Sequence, residues 1–63
     1  MIKAERQDKV RQLLEEQGTV SVKEISDALG VSDMTIRRDL EELASLGEIE
    51  RVHGGARSAQ GRP

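Results

Sequence analysis

Five side chains near the middle of the chain have the chemistry needed to recognise a nucleic acid. Within seven positions the sequence places two hydroxyls, one flexible apolar side chain and two guanidinium groups, on Ser32, Met34, Thr35, Arg37 and Arg38. A guanidinium can donate two hydrogen bonds to guanine O6 and N7, and a methyl-bearing side chain can contact the thymine methyl. If these residues occupy the leading end and outer face of one helix, they can contact base edges in the major groove of duplex DNA.

The same segment has a simpler interpretation as a solvated helix face. Arg37 lies four residues from both Asp33 and Glu41, and Arg38 lies four residues from Glu42. Such pairs stabilise a helix by only about 0.2–0.5 kcal/mol each. Even if this helix is the second helix of a helix-turn-helix, that arrangement also occurs in proteins that do not bind DNA. Spacing alone therefore leaves both interpretations open.

A second candidate segment lies near the end of the chain, where three basic or ionisable side chains surround two glycines. These residues are Arg51, His53, Gly54, Gly55 and Arg57. A turn with a small tip can approach a phosphate backbone closely, which makes all five candidate DNA-binding residues. For His53 a solvated turn is an equally good interpretation, and the glycines are expected to serve backbone geometry.

The charge balance of the whole chain does not indicate a nucleic-acid binder. Ten Lys and Arg residues are opposed by twelve Asp and Glu residues, which gives a formal net charge of −2. From residue 51 onward, however, the sequence contains arginines and no acid. Positive charge is therefore concentrated at one end, where a local field can act despite the acidic total.

Length and composition argue against an enzyme or a metalloprotein. A chain of 63 residues buries only about 60% of its unfolded surface, and its core must be built without Phe, Tyr or Trp. Cysteine is absent and histidine occurs once, so thiolate and multi-histidine metal sites are excluded. We therefore predict no catalytic residue, no metal and no cofactor.

No apolar run approaches the roughly 20 residues that span a bilayer, and a signal-peptide core is missing, so the expected location is the cytoplasm.

Two helices are predicted in the first half of the chain. The first should run from about residue 3 to residue 17 and stop at Gly18. Ser21 is followed three positions later by Glu24, a capping-box pattern that predicts the start of the second helix. Gly30 supplies the left-handed residue that ends it.

A third helix and a small sheet are predicted in the second half. Ser32 is a favoured N-cap for the third helix, which should end at Gly47. The short glycine-containing connection between the second and third helices is typical of a helix-turn-helix. Alternating polar and apolar residues predict a strand over residues 48–52. Two glycines predict a reversal over residues 53–55, which is followed by a return strand over 56–59. We expect Val20 or a neighbour to add a third strand, because an isolated hairpin is marginal in water.

Helical spacing also predicts which apolar residues face inward. The expected set is Ile2, Val10, Leu13 and Leu14 on the first helix, Val22, Ile25, Ala28 and Leu29 on the second, and Ile36, Leu40, Leu43 and Leu46 on the third. These stripes place the candidate side chains of the third helix on its opposite, outer face.

Two motifs resemble the N-terminal domain of the DeoR family of bacterial transcriptional regulators. They are V-S-D-M-T-I-R-R-D-L at residues 31–40 and R-V-H-G-G-A at residues 51–56. E-R-Q at residues 5–7 and V-S-V at residues 20–22 lie in the same order and spacing. The resemblance therefore covers the chain from about residue 5 to residue 56.

The resemblance implies a mainly α, three-helix winged helix-turn-helix over residues 1–57. It implies binding to double-stranded operator DNA, usually to repress operons for sugar or nucleoside catabolism. Residues 32–38 would form the recognition helix in the major groove, and the wing around residues 51–56 would contact the backbone or minor groove.

The resemblance also implies what should not be assigned to these residues. Members of the family carry a larger C-terminal domain that binds a phosphorylated sugar or related metabolite and mediates homo-oligomerisation. We expect no counterpart of that domain within these residues, and residues 58–63 are expected to be a flexible tail or the start of a linker to it. The alternative function is a protein-interaction module that docks on its partner through Met34. Binding by such a module would barely respond to salt, whereas phosphate-driven binding weakens steeply as the salt concentration rises.

Overall fold

The computed structural model describes residues 1–59, which form three helices and a three-stranded antiparallel sheet. The elements in chain order are α1 (Lys3–Gln17), β1 (Thr19–Ser21), α2 (Val22–Leu29), α3 (Asp33–Ser45), β2 (Ile49–Val52) and β3 (Gly55–Ser58). This architecture confirms the predicted winged helix-turn-helix. Over these residues no helix combines the length and apolar character needed to cross a membrane.

The ends of α2 and the start of α3 follow the local signals in the sequence. The Ser21 hydroxyl accepts a hydrogen bond from the Glu24 amide, and the Glu24 carboxylate accepts one from the Ser21 amide, both at 3.0 Å. Gly30 adopts the left-handed conformation at φ 70°. The Ser32 hydroxyl accepts a hydrogen bond from the Thr35 amide at 3.2 Å and caps α3.

One buried serine holds the turn between α2 and α3. The Ser26 carbonyl accepts hydrogen bonds from the amides of Gly30 and Val31 at 2.8 and 3.2 Å. The Ser26 hydroxyl donates to Asp33 Oδ1 at 2.7 Å. Ser26 therefore connects the end of one helix to the start of the next and helps to fix the angle between them.

The sheet has the order β1-β3-β2, so β3 lies in the centre. Ala56 on β3 is opposite Val20 on β1 and Arg51 on β2, which confirms the predicted third strand at Val20. β3 extends to Ser58, one residue into the segment that the sequence assigns to a tail. Ala59 is exposed beyond the strand, and residues 60–63 of the predicted tail lie outside the described residues.

The two glycines of the wing have different structural requirements. Gly54 is in the turn at φ 76°, and its carbonyl accepts a hydrogen bond from the Val22 amide at 2.9 Å. Gly55 is buried against β1, where an added Cβ would lie 2.3 Å from the Val20 carbonyl oxygen. The tip of the wing is thus joined to the first residue of α2, and the close approach of β1 requires glycine at position 55.

The helices and the sheet enclose a purely aliphatic core. Its buried residues are Val10, Leu14, Val20, Val22, Ile25, Ile36, Leu40, Leu43, Ile49 and Ala56. Leu13 and Leu29 are only partly buried and pack against this core.

Three residues that were predicted to face inward are exposed, so those predictions are wrong. Ile2 is 70% exposed because it precedes α1 in extended backbone. Leu46 is 62% exposed because α3 ends at Ser45 and the chain turns at Gly47. Ala28 is exposed, since at about 100° per residue it lies roughly 110° from the centre of the buried face of α2.

Candidate nucleic-acid interface

α3 has one buried face and one solvent-exposed face. The buried face is formed by Ile36, Leu40 and Leu43, each with 0% exposure. Met34, Arg37 and Arg38 are exposed on the other side, and Met34 keeps 62% of its surface in contact with solvent. Packing of the aliphatic stripe therefore turns both guanidinium groups outward from the first two turns of the helix.

Arg37 and Arg38 have no carboxylate partner within residues 1–59. Asp33, Glu41 and Glu42 lie one turn away, but no carboxylate oxygen of the described chain is within 4.0 Å of either guanidinium. The intrahelical ion pairs considered as the simpler interpretation do not form there. Both groups keep their positive charge and their hydrogen-bond donors available to a ligand.

Most other cations of residues 1–59 are neutralised by nearby acids. The ion pairs are Lys3–Glu42, Arg6–Asp39, Arg11–Glu48, Lys23–Asp27 and Arg57–Glu50, and Arg11 also contacts Asp8. In this part of the chain the lysine and arginine side chains without such a pair are Lys9, Arg37, Arg38 and Arg51. Despite the acidic total charge, both arginines of α3 therefore stay available as unpaired positive groups in the described chain, while the exposed acids Asp33 and Glu41 lie on the same helix.

The two hydroxyls at the start of α3 form one small network. The Ser32 hydroxyl caps the helix and donates to Thr35 Oγ1 at 3.0 Å. Ser32 is exposed and Thr35 is half-buried. Because Thr35 accepts this bond, its own hydroxyl hydrogen remains available to a phosphate or a base edge.

The three ionisable side chains of the wing differ in their surroundings. His53 is exposed in the turn. Arg57 is exposed and donates from Nε to Glu50 Oε1 at 2.8 Å across the two strands. Arg51 is half-buried on the same side of the sheet as Ala56, and its Nη1 is buried with no hydrogen-bond partner in the described residues.

The ion pair of the wing shifts both of its titrating groups. The hydrogen bond from Arg57, together with its charge, lowers the pKa of Glu50 below the ordinary value of 4.5. The same hydrogen bond and the charge of Glu50 raise the pKa of Arg57. The wing thus has one exposed histidine, one paired arginine and one sheltered arginine, while Gly55 pairs with Ser21 of the neighbouring strand β1.

Sequence reasoning missed the polar contacts that hold α1 against α3. Asp39 is 3% exposed, and its Oδ1 accepts hydrogen bonds from Arg6 Nη2 at 2.9 Å and from Gln7 Nε2 at 3.4 Å. Arg6 Nε donates to the other carboxylate oxygen, and this hydrogen bond raises the pKa of Arg6. The available signal was the position of Asp39, three residues after Ile36 and therefore on the inward side of α3.

No metal-binding cluster accompanies this surface in residues 1–59. No group of three or more His, Cys, Asp or Glu side chains of this part of the chain is arranged to hold a metal ion. The surface instead offers two guanidinium groups, hydroxyls and a methionine on one helix, with a basic turn nearby. These groups suit recognition of a nucleic acid, a polyanion whose base edges form hydrogen bonds with side chains.

Known proteins are similar to this chain over almost its entire length. A model of the DeoR-like helix-turn-helix domain matches residues 6–62. Lactose phosphotransferase system repressors of Streptococcus mutans, Staphylococcus aureus and Staphylococcus epidermidis are 52%, 50% and 48% identical to the chain over 58 residues. These alignments cover 92% of this chain but 23% of each repressor. No solved structure matches significantly. The chain belongs to the family of DeoR-like helix-turn-helix domains.

Proposed function

We propose that the chain is the sequence-specific DNA-binding domain of a transcriptional repressor and that α3 is its recognition helix. The observation that carries this proposal is the exposure of Arg37 and Arg38 beside each other with no carboxylate partner in residues 1–59. Most of the other lysines and arginines that the structure describes are paired with an acid. An α-helix fits the major groove of B-DNA, so both guanidinium groups would reach phosphates or guanine edges there.

The remaining residues at the start of α3 complete the proposed contact. Thr35 would donate its hydroxyl hydrogen to a phosphate or base edge, whereas Ser32, which donates to Thr35, would accept from a base amino group. Exposed Met34 would contact a thymine methyl. The amides of the first helical turn favour a negative charge at this end. We therefore assign direct base recognition to the first two turns of α3.

The wing would contact the adjacent backbone or minor groove. Its candidate residues are Arg51, His53, Gly54 and Arg57, and Gly55 allows the close approach of β3 to its neighbouring strand β1. The bond between the Val22 amide and the Gly54 carbonyl holds the wing beside the helix-turn-helix. A phosphate would compete with Glu50 for the guanidinium of Arg57.

The relatives suggest which genes such a domain regulates. The similar proteins are named lactose phosphotransferase system repressors, and we propose that this domain likewise serves repression of bacterial genes for sugar uptake or catabolism. It would act in the cytoplasm by binding alone, without catalysis. We assign effector binding and oligomerisation to the part of such repressors that the chain does not span.

Selection of bound sequences from a random pool of DNA duplexes tests the proposal. The 63-residue chain should enrich one sequence motif, and its affinity for that duplex should fall as salt rises. Arg38→Ala or Arg37→Ala should weaken binding by about 1–3 kcal/mol where the side chain contacts a base. Unchanged affinity in both variants, or failure to enrich any duplex, would rule the assignment out. Binding to a protein that ignores salt would favour the docking module instead.

A further inference from the structure

We propose that Lys3 and Arg38 together bind one backbone phosphate of the duplex, so that the first turn of α1 is a third DNA contact beside α3 and the wing. The ligand is a phosphodiester on the strand that borders the occupied major groove. This inference rests on the proposed function and adds to it a residue from a different helix.

The first turn of α1 has a fixed position beside the middle of α3. Lys3 Nζ lies 2.8 Å from Glu42 Oε1, and Gln7 Nε2 donates to the same oxygen at 3.4 Å. Arg6 is bonded to both carboxylate oxygens of Asp39. Contacts from three residues of α1 therefore place the Lys3 ammonium along one edge of the proposed recognition helix.

A shallow groove of about 440 Å³ lies between these two helices. It is lined by Lys3, Arg6, Thr35, Arg38, Asp39 and Glu42. Arg6 already occupies Asp39, and Lys3 contacts Glu42, whereas Arg38 has no such partner in residues 1–59. The lining therefore carries three cations and two occupied carboxylates, which leaves a net positive charge beside the Thr35 hydroxyl.

The groove lies where a DNA strand would pass. Thr35 and Arg38 belong both to its lining and to the proposed DNA-contacting end of α3. A helix in the major groove is flanked by the two sugar-phosphate backbones, and one of them would follow this edge. A phosphate there would be within reach of side chains from both helices.

Lys3 keeps the capacity to bind an anion while it contacts Glu42. Its side chain is 57% exposed, and an ammonium has three hydrogens to donate, of which Glu42 takes one. The hydrogen bond and charge of Lys3 lower the pKa of Glu42, so Glu42 stays ionised. Lys3 could thus favour DNA in two ways, by touching the phosphate or only by neutralising Glu42.

A charge-neutral pair of substitutions separates these two effects. The probe is a labelled duplex enriched by the wild-type chain, titrated at several salt concentrations with Lys3→Met, Glu42→Gln and the double variant. Lys9→Met is the matched control, because Lys9 lies exposed on the same helix but lines a different groove with Leu13 and Leu29. Circular dichroism confirms that each variant is folded.

We expect Lys3→Met to bind the duplex several-fold more weakly. The fall of log affinity with log salt should become less steep by about 0.9, the value for one lost phosphate contact. The double variant should keep both changes, and Lys9→Met should keep the wild-type slope. Wild-type affinity and slope in the double variant would overturn the inference, as would an equal effect of Lys9→Met. Failure of Arg38→Ala to weaken the same duplex would also overturn the inference, because it places both side chains on one phosphate. The proposed function would fail only if Arg37→Ala and Arg38→Ala both left the affinity unchanged.

Discussion

Arg6 donates hydrogen bonds to both carboxylate oxygens of Asp39, and this pair joins the first helix to the side of α3 that faces the core. Asp39 directly follows Arg38 in the sequence, yet the two side chains have opposite environments, one buried and one exposed. Because Arg6 occupies the buried carboxylate, Asp39 does not compete with DNA for Arg38. The pair thus holds α1 against α3 and also keeps the Asp39 carboxylate from pairing with Arg38.

Loss of this pair should be costly for so small a domain. We expect Arg6→Ala to lower the free energy of unfolding by about 3 kcal/mol, because it leaves a buried carboxylate without its cation. Urea unfolding followed by circular dichroism measures the change. Lys9→Ala, an exposed substitution on the same helix, should unfold at nearly the wild-type midpoint. Equal midpoints for Arg6→Ala and Lys9→Ala would contradict this role of Arg6.

The close approach of β1 to the wing should make position 55 intolerant of any side chain. In Gly55→Ala the added Cβ meets the Val20 carbonyl oxygen at 2.3 Å, so the strands must separate, at an expected cost of about 1–3 kcal/mol. The Val22 amide, which is bonded to the Gly54 carbonyl, should then exchange its hydrogen faster with solvent. Amide exchange measured by NMR tests this, and unchanged protection of Val22 would show that β1 and β3 can absorb the methyl group.

The ion pair of the wing should titrate at acidic pH. The pKa of Glu50 is lowered in the folded chain by its hydrogen bond from Arg57, so the pair stabilises the fold fully above the ordinary value of 4.5 and loses this effect as pH falls through the lowered value. NMR titration of the Glu50 carboxyl should give a midpoint below 4.5. Arg57→Ala should raise that midpoint.

The same titration reports on the proposed DNA contact of the wing. If Arg57 leaves Glu50 for a phosphate, the pKa of Glu50 rises towards its ordinary value when duplex DNA is added. A midpoint that stays constant on addition of the enriched duplex would exclude Arg57 from the interface. Glu42, whose pKa Lys3 lowers, can be followed in the same spectra.

Much of the fold could be predicted because its signals are local. The capping box of Ser21 and Glu24 and the left-handed Gly30 each depend on residues within a few positions, and all of them hold in the structure. The need of a hairpin for a third strand predicted a strand at Val20 or a neighbour, and in the structure that strand pairs with β3. The predicted burial of Leu46 is wrong because the helical spacing was continued past Ser45, the residue at which α3 ends.

The candidate site was less accessible to prediction because charge pairing is a property of the folded chain. The pairing of Arg6 with Asp39 spans 33 residues, and nothing in local periodicity connects them. Spacing allowed Arg37 and Arg38 to pair along their own helix, and only the structure shows that, within the described chain, they do not. Likewise, alternation placed Arg51 on a strand but gave no indication that one of its nitrogens is sheltered.

The hydrogen bond from the Val22 amide to the Gly54 carbonyl has a consequence for the duplex itself. Together with the pairing of β1 and β3, it ties the hairpin to the first residue of α2, so we expect the wing to adapt little to the curvature of a particular site. Where the groove spacing does not match, the DNA must bend or twist, and that elastic cost depends on its base steps. The sequence preference of the domain should therefore extend to base pairs that no side chain contacts.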